Sequence, residues 1–166
     1  ISGLAADGGN LVKQLRQLGY KGLIVGGNGF NSTNMFPVCG ALCEGILVAQ
    51  AYSPQADNPT NKAFVAKFEE AYKKTPPQFA AQAFTAVQVV VETLRKIEKD
   101  TGKKITDMDL AEVRVALNKA LRTGSFVTPV GEITLTPEGE VVQKQFYVST
   151  VKMNPDGKTG AFVLTK

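Results

Sequence analysis

The stretch Leu23-Ile24-Val25-Gly26-Gly27-Asn28-Gly29-Phe30-Asn31-Ser32, written LIVGGNGFNS, ends an apolar run in three glycines around one asparagine. A short apolar run bounded by turn residues is typical of a buried strand, and glycine allows the backbone to turn or to approach another group closely. Three interpretations are open. The glycines could bind a dinucleotide phosphate, could only turn the chain, or could form a backbone rim that a small ligand approaches.

The dinucleotide interpretation fits the sequence poorly. Gly27 and Gly29 could fill the first and third places of the fingerprint, but the sixth place holds Ser32. The next acidic residue, Glu44, comes too early for the residue that binds the ribose, and no βαβ unit of the right spacing follows. A turn or a backbone rim is therefore favoured.

The composition is that of a globular protein without a nucleic-acid surface. The chain has 166 residues, 43% hydrophobic and 20% charged, with a net charge of +4 and a pI of about 9.1. Its lysines are scattered through helix-like stretches beside glutamates, which is typical of a solvated surface of mixed sign. We therefore predict no nucleic-acid partner.

Several kinds of site are excluded by residues that the chain lacks. It contains no histidine, which excludes histidine-based catalytic triads and histidine-rich metal sites. No nucleophile stands beside a base, no apolar run is long enough to span a bilayer, and the 166 residues show no signal-peptide pattern. We predict no enzyme activity, cofactor or metal, and the first four residues look like the end of a strand in a longer chain.

The two cysteines, Cys39 and Cys43, are four residues apart. Two thiolates cannot complete a tetrahedral zinc site, and the spacing is not that of a Cys-x-x-Cys motif. Two buried reduced thiols and a disulfide both remain open, since positions four apart share one face of a helical turn.

The first part of the chain reads as alternating strands and helices. Apolar spacing predicts a helix over Gly8–Leu18, and apolar runs predict strands at Leu23–Val25 and Gly45–Ala49. This order predicts an α/β fold with parallel strands.

The character of the chain changes at Tyr52. Helices are predicted over about 61–74 and 79–99, and a third, capped by Asp107 or Asp109, runs to about Leu121. The beginning of the second of these is apolar almost all round, which predicts burial. A β-hairpin at 130–142 and strands at 145–151 and 160–164 follow.

The order of these segments resembles one family. The chain is similar throughout to the C-terminal half of a type I periplasmic solute-binding protein of the branched-chain amino-acid binding kind, the receptor component of an ABC importer. The segments that carry the resemblance are GNLVKQLRQLG at 9–19, GGNG at 26–29, CEGILV at 43–48, FAAQAFTAV at 79–87 and GEITLTPEG at 131–139.

The resemblance implies part of a two-lobed α/β protein, with parallel sheets flanked by helices and a late β-hairpin. Residues 1–51 and 144–166 would belong to the C-terminal lobe and residues 52–143 to the N-terminal lobe. The N-terminal half of the parent protein, with the groups that clasp the ligand carboxylate, would be absent. Studied alone, such a fragment should self-associate through the apolar faces at 23–25 and 80–91.

The resemblance also implies where a ligand would bind. Gly27, Asn28 and Gly29 would face the interlobe cleft, and Leu4 and Phe79 occupy positions where the family often has aromatic residues against the ligand. The family commonly has an acidic residue at the position of Asn28, to pair with an ammonium group. Each residue has a purely structural alternative: Phe79 as core, Leu4 as wall packing, and Asn28 as a residue that tolerates a left-handed turn.

The function that the resemblance implies is binding of a small hydrophobic amino acid or related amide outside the cytoplasm, for delivery to the membrane subunits of an ABC transporter. A ligand-sensing domain of a receptor or amide-responsive regulator and a nucleotide-binding enzyme fragment are the alternatives. Because Asn28 carries no charge, either another acidic group pairs with an ammonium or the ligand is not a simple α-amino acid. Asp7 is the nearest acid, and we expect it to cap the first helix.

Overall fold

The computed structural model describes residues 1–165, in which the chain forms two units. The first contains Ile1–Gln55 and the chain from Phe146 onward, and the second contains Ala56–Gln145. Both boundaries lie a few residues further along the chain than the changes of lobe expected after residues 51 and 143. The assignment of the units to particular lobes stays a prediction.

The helices and strands alternate in the first unit and are separated into groups in the second. In chain order they are α1 (Ala5–Gln17), β1 (Val25–Gly26), α2 (Phe36–Cys39), β2 (Leu47–Gln50), α3 (Pro59–Tyr72), α4 (Gln78–Thr101), α5 (Leu110–Thr123), β3 (Ser125–Thr128), β4 (Gly131–Leu135), β5 (Val141–Gln143), β6 (Tyr147–Met153) and β7 (Gly160–Leu164). Short 3-10 turns lie at Asn28–Phe30, Thr33–Met35, Gly40–Cys43 and Ile105–Asp107.

The sheet of the first unit is mixed rather than parallel. Its strand order is β1-β2-β6-β7, in which β1 and β2 are parallel and the other two pairs are antiparallel. A tight turn after β6, in which Gly157 N donates to Asn154 O at 3.0 Å, returns the chain as β7. Such a turn can join only antiparallel strands. The expectation of parallel strands therefore holds for one pair among the described residues.

Helix α1 begins at Ala5 and not near Gly8 as the apolar spacing predicted. Gly8 N donates to Leu4 O at 2.8 Å, and Leu4 is the residue before the first turn. Asp7 therefore lies inside the first turn and does not cap the helix, which has no side-chain cap. Its carboxylate there still interacts favourably with the helix dipole.

Phe30 is the centre of the apolar core of the first unit, and two glycines make room for it. Its ring is fully buried. A Cβ atom added to Gly8 in α1, or to Gly26 in β1, would overlap this ring. Two of the glycines in this part of the chain are thus explained by the packing of one aromatic side chain.

Cys39 and Cys43 form a disulfide in the first unit, with their Cα atoms 5.5 Å apart. Both residues are buried in the core. Cys39 ends α2 and Cys43 ends the 3-10 turn that follows, so that the helical backbone brings the two side chains to one side. Of the two alternatives left open by the sequence, the structure contains the disulfide.

The second unit contains three helices and a three-stranded antiparallel sheet of order β3-β4-β5. Helix α3 begins before Asn61, at Pro59, because Asn58 caps it by accepting from Thr60 N at 2.9 Å. The amide nitrogen of Asn58 also donates to Thr128 O in β3 at 2.9 Å. Asp109, one of the two predicted caps, accepts from Ala111 N at the start of α5.

Helix α4 has one buried face and one exposed face, and the prediction that its beginning is buried all round is wrong. The buried face consists of Ala81, Thr85, Val89, Thr93 and Ile97, which are spaced four residues apart. The other face is apolar but exposed, at Phe79, Phe84, Val87, Val90 and Val91. Among residues 1–165, the helices and sheet of this unit bury the first of these faces, and the second is covered only in part, where Phe64 of α3 packs against Phe84.

The late sheet has one strand more than the sequence predicted. The predicted hairpin is present as β4 and β5, with Leu135 paired with Val141. Strand β3, which pairs with β4 from Ser125↔Thr134 to Thr128↔Gly131, was not predicted. Its four residues follow α5 with only Gly124 between them, so no loop separates this strand from the helix.

Candidate functional site

The turn Gly27-Asn28-Gly29 directly follows β1. Gly27 has an extended backbone with φ −79°, and a Cβ added there would meet no atom within 4 Å. A Cβ added to Gly29 would overlap the carbonyl oxygen of Gly3. Gly29 is therefore required by close packing, whereas Gly27 leaves open space beside the turn.

Asn28 is exposed and is held to the chain that follows β2. Its Oδ1 accepts a hydrogen bond from the backbone nitrogen of Ala51 at 3.1 Å. Asn28 does not have a left-handed backbone, since among residues 1–165 the positive φ angles outside glycine are limited to Lys73. The alternative that Asn28 serves a left-handed turn is therefore wrong, and its role toward a ligand stays a prediction.

A buried row of polar side chains lies beneath the turn. Gln50 Nε2 donates to Asn31 Oδ1 at 2.7 Å, and Ser149 Oγ donates to Gln50 Oε1 at 2.7 Å. Asn31 Nδ2 donates to the carbonyl oxygen of Tyr52 at 3.3 Å. All three of these side chains are buried. They join the turn to β2 and β6 and hold the backbone that carries Asn28.

Sequence reasoning did not predict this row. The available signal was the position of polar residues at the ends of buried runs, at Asn31 after the glycine turn and at Gln50 after the second strand. A buried polar side chain needs a partner. The partners come from residues about 20 and 100 positions apart in the chain, which no local pattern reveals.

Tyr147 lies opposite Gln50 in the pairing of β2 with β6. Burial raises the pKa of the Tyr147 phenol above its ordinary value, because the phenolate is less well solvated there. The phenol is therefore neutral at physiological pH. Together with the amides of Asn31 and Gln50, it makes this end of the sheet polar but uncharged.

The structure brings four of the five predicted ligand-binding residues together. Leu4 Cα lies 3.6 Å from a Cβ added to Gly29, so Leu4 and the Gly27-Asn28-Gly29 turn are neighbours in the first unit. The Leu4 side chain is 66% exposed. Phe79, near the start of α4, is 48% exposed and belongs to the second unit.

Two carboxylates of the first unit form hydrogen bonds with residues other than Asn28. Glu44 accepts from Met153 N at 2.7 Å and from Lys152 Nζ at 3.0 Å, and these two contacts lower the pKa of Glu44. Asp156 accepts from Thr159 and from Lys158 N in the turn after β6, and these hydrogen bonds lower its pKa. In the part of the chain that the structure describes, no hydrogen bond joins a carboxylate to Asn28.

Within residues 1–165, the turn lacks the long helix of a dinucleotide site. The turn leads into the three-residue 3-10 helix Asn28–Phe30, not into the long helix of a dinucleotide site. Within residues 1–165 no group of three or more acidic or cysteine side chains could hold a metal ion. No helix in this range is long and apolar enough to cross a membrane.

A cavity lies between α3 and α4 in the second unit. Its volume is about 350 Å³. Half of its lining residues are aromatic, with Phe64 and Phe84 5.0 Å apart between ring centroids. Because it contains few polar groups that could orient a ligand, it is a weaker candidate than the turn of the first unit.

Comparison with known proteins gives a consistent result. A family described as "Periplasmic binding protein" matches residues 1–160. The leucine-, isoleucine-, valine-, threonine- and alanine-binding protein of Pseudomonas aeruginosa is 24% identical over 148 residues, which is 89% of this chain and 36% of that protein.

Solved structures show the same fold. A leucine-binding protein from Thermotoga maritima matches with a TM-score of 0.78 and 26% identity, over 98% of this chain and 42% of that one. A solute-binding protein of an ABC transporter from R. palustris, in complex with benzoate, matches with a TM-score of 0.68 and 28% identity, over 93% of this chain and 39% of that one. The chain thus spans about two fifths of the length of the proteins that it matches.

Proposed function

The chain belongs to the periplasmic binding protein family, and from this premise we propose that it is part of the solute-binding component of an ABC importer. In this proposal the protein binds and releases a solute and catalyses no reaction. The relatives and solved structures support it, because each is a binding protein by name and the similarity runs through both units.

The observation that carries the proposal is the rim formed by Gly27, Asn28 and Gly29. Gly27 leaves the backbone open to approach, and Asn28 is an exposed polar group held in place by Ala51. Leu4 adds an exposed apolar side chain beside them. A rim with a fixed polar group beside an apolar surface suits a small amphipathic solute.

We propose a small hydrophobic amino acid or a related amide as the solute. The relatives named above are named for leucine, isoleucine, valine, threonine and alanine or were solved with benzoate, and each of these solutes carries a carboxylate. Because the rim carries no charge, it supports a solute whose polar groups form hydrogen bonds there and do not need a protein carboxylate as an ion-pair partner.

The proposed partners are the membrane subunits of the transporter, and the proposed location is outside the cytoplasm, in the periplasm or at the cell surface. The family is extracytoplasmic, and the disulfide between Cys39 and Cys43 supports that location, because disulfides persist mainly in oxidising compartments.

A thermal-shift screen of the complete protein tests the proposal. The panel contains leucine, isoleucine, valine, proline, leucinamide and benzoate, with ATP and NAD as the contrasting class. A ligand at 100 times its Kd stabilises the folded state by about 2.7 kcal/mol, which raises the Tm by several degrees. We expect such a shift with at least one member of the first group, confirmed by calorimetry.

The same screen can contradict the proposal. A shift with ATP or NAD and with no amino acid, amide or benzoate would favour an enzyme over a transport receptor. Gly27→Ala adds a methyl group to the open space beside the rim, whereas Gly29→Ala overlaps the Gly3 carbonyl and displaces the turn, so the pair separates crowding of the rim from its displacement. Equal affinities of both variants and the parent would remove the turn from the binding site.

A further inference from the structure

The orientation of the Asn28 side-chain amide is set by a backbone donor. The nitrogen of Ala51 lies 3.1 Å from one end of this amide. A backbone N–H can only donate, so that end must be the oxygen, Oδ1. The nitrogen, Nδ2, therefore lies at the end of the amide that does not contact Ala51.

Nδ2 is available to a ligand. The Asn28 side chain is exposed, and its Nδ2 has no hydrogen-bond partner within residues 1–165. An exposed NH2 group with both hydrogens free binds an acceptor atom, and a carboxylate is the strongest acceptor that a small solute carries. The hydrogen bond to Ala51 keeps this group from rotating to present its oxygen in the same direction.

The charges of the first unit agree with this polarity. Its acidic residues within the described range are Asp7, Glu44 and Asp156. Glu44 and Asp156 are hydrogen-bonded to residues of β6 and the turn after it, and Asp7 forms no hydrogen bond with Asn28. Among the described residues of the first unit, an ammonium group at Asn28 would therefore contact a neutral oxygen that already accepts one hydrogen bond, and no carboxylate bonded to Asn28 would compensate its charge.

We propose that Asn28 binds the solute as a hydrogen-bond donor, through Nδ2, so that the solute presents a carboxylate or carbonyl oxygen to the Gly27-Asn28-Gly29 turn and no ammonium. This proposal rests on the proposed function. It reverses the role expected from the resemblance, in which this position pairs with an ammonium. The solute class is therefore acids and amides that bind this turn through an oxygen atom and not through an ammonium group.

The variant Asn28→Asp tests the proposal. An aspartate oxygen can accept from Ala51 N as Oδ1 does, so the turn keeps its support while the NH2 donor is replaced by a negative charge. The probes are leucine, isocaproate (leucine without its ammonium group), isoamylamine (leucine without its carboxylate) and benzoate, measured by calorimetry on the complete protein. Asn34→Asp, an exposed asparagine of the same unit, controls for the added charge.

We expect Asn28→Asp to weaken the oxygen-bearing probes that the parent binds by roughly 10- to 100-fold, since a hydrogen bond to a charged group is lost and a repulsion replaces it. Asn34→Asp should leave their affinities unchanged. Tighter binding of leucine or isoamylamine by Asn28→Asp, or unchanged binding of isocaproate and benzoate, would overturn this proposal and leave the proposed function intact. A parent protein that binds neither these probes nor any member of the solute panel would overturn the proposed function, and this proposal with it.

Discussion

The ring of Phe30 occupies the space that a side chain at Gly26 would need. The two residues lie on either side of the turn that carries Asn28, so the packing of the core and the position of the proposed site depend on the same few residues. Two nearby glycines then differ in their expected tolerance, because Gly26 is against the ring and Gly27 faces open space.

We therefore expect Gly26→Ala to destabilise the complete protein by about 1–3 kcal/mol, the usual cost of overfilling a packed core. Gly27→Ala should change the free energy of unfolding by less than about 0.5 kcal/mol. The backbone suits alanine at both positions, but only Gly26 lacks space for the added methyl group. Urea denaturation measures both. Adding Phe30→Leu to Gly26→Ala should recover part of the loss, and equal losses for the two single variants would refute this account.

Gln50 is expected to be the most sensitive member of the buried polar row. Gln50→Ala leaves both Asn31 Oδ1 and Ser149 Oγ without this partner, and we expect a loss of about 2–4 kcal/mol of stability. Ser149→Ala removes one contact and should cost less. A double-mutant cycle between Asn31→Ala and Gln50→Ala should show a coupling of about 1 kcal/mol, whereas additive effects would mean that the hydrogen bond contributes nothing.

Glu44 gives a prediction about pH. Its pKa is lowered in the folded state, first by the hydrogen bond from Met153 N and then by Lys152. The ordinary pKa of this carboxyl group is 4.5, and at a pH above this value its contacts stabilise the folded protein in full. This contribution is lost as the pH falls from 4.5 through the lower pKa of the folded state. Glu44→Gln should remove that part of the acid destabilisation.

The effect of Glu44→Gln should be about 0.5 kcal/mol, since the group is largely exposed and solvent screens the ion pair. Urea midpoints between about pH 3 and pH 7 measure it. Glu138→Gln, an exposed carboxylate in the turn after β4, serves as the control. A parent and a Glu44→Gln variant with the same pH profile would show that the folded pKa of Glu44 is not lowered.

The 166-residue chain should associate when it is prepared alone. Leu23 is 65% exposed and Val87 is 64% exposed, and each lies among other exposed apolar residues of its unit. Light scattering should show dimers or larger species, and Val87→Glu should reduce their proportion. A monomer that unfolds cooperatively at the same concentrations would contradict this prediction.

Much of the fold could be predicted because its signals are local. The periodicity of α1, α4 and α5 and the alternation of β4 with β5 predict helices and strands within a few residues of where they lie. Helix starts were less well predicted, because α1 begins without a side-chain cap and α3 is capped by a residue three positions before the predicted start. Strand β3 was missed because it directly follows a helix.

The site could be predicted only in part. The turn at Gly27-Asn28-Gly29 was visible as a glycine cluster, but the reason for each glycine was not. Gly26 is needed for Phe30 and Gly29 for the backbone of Gly3, and both contacts depend on three-dimensional packing. The hydrogen bond from Ala51 to Asn28, on which the polarity of the site depends, joins residues 23 positions apart.

The pairing of Gln50 with Tyr147 has a consequence for how fast the first sheet forms. Strand β6 lies in the middle of the first sheet, between β2 and β7, and its Val151 is fully buried. The whole second unit lies between β2 and β6 in the chain, so the pairing of these two strands closes a long loop. We therefore expect the first sheet to form more slowly than the local helices and hairpin of the second unit.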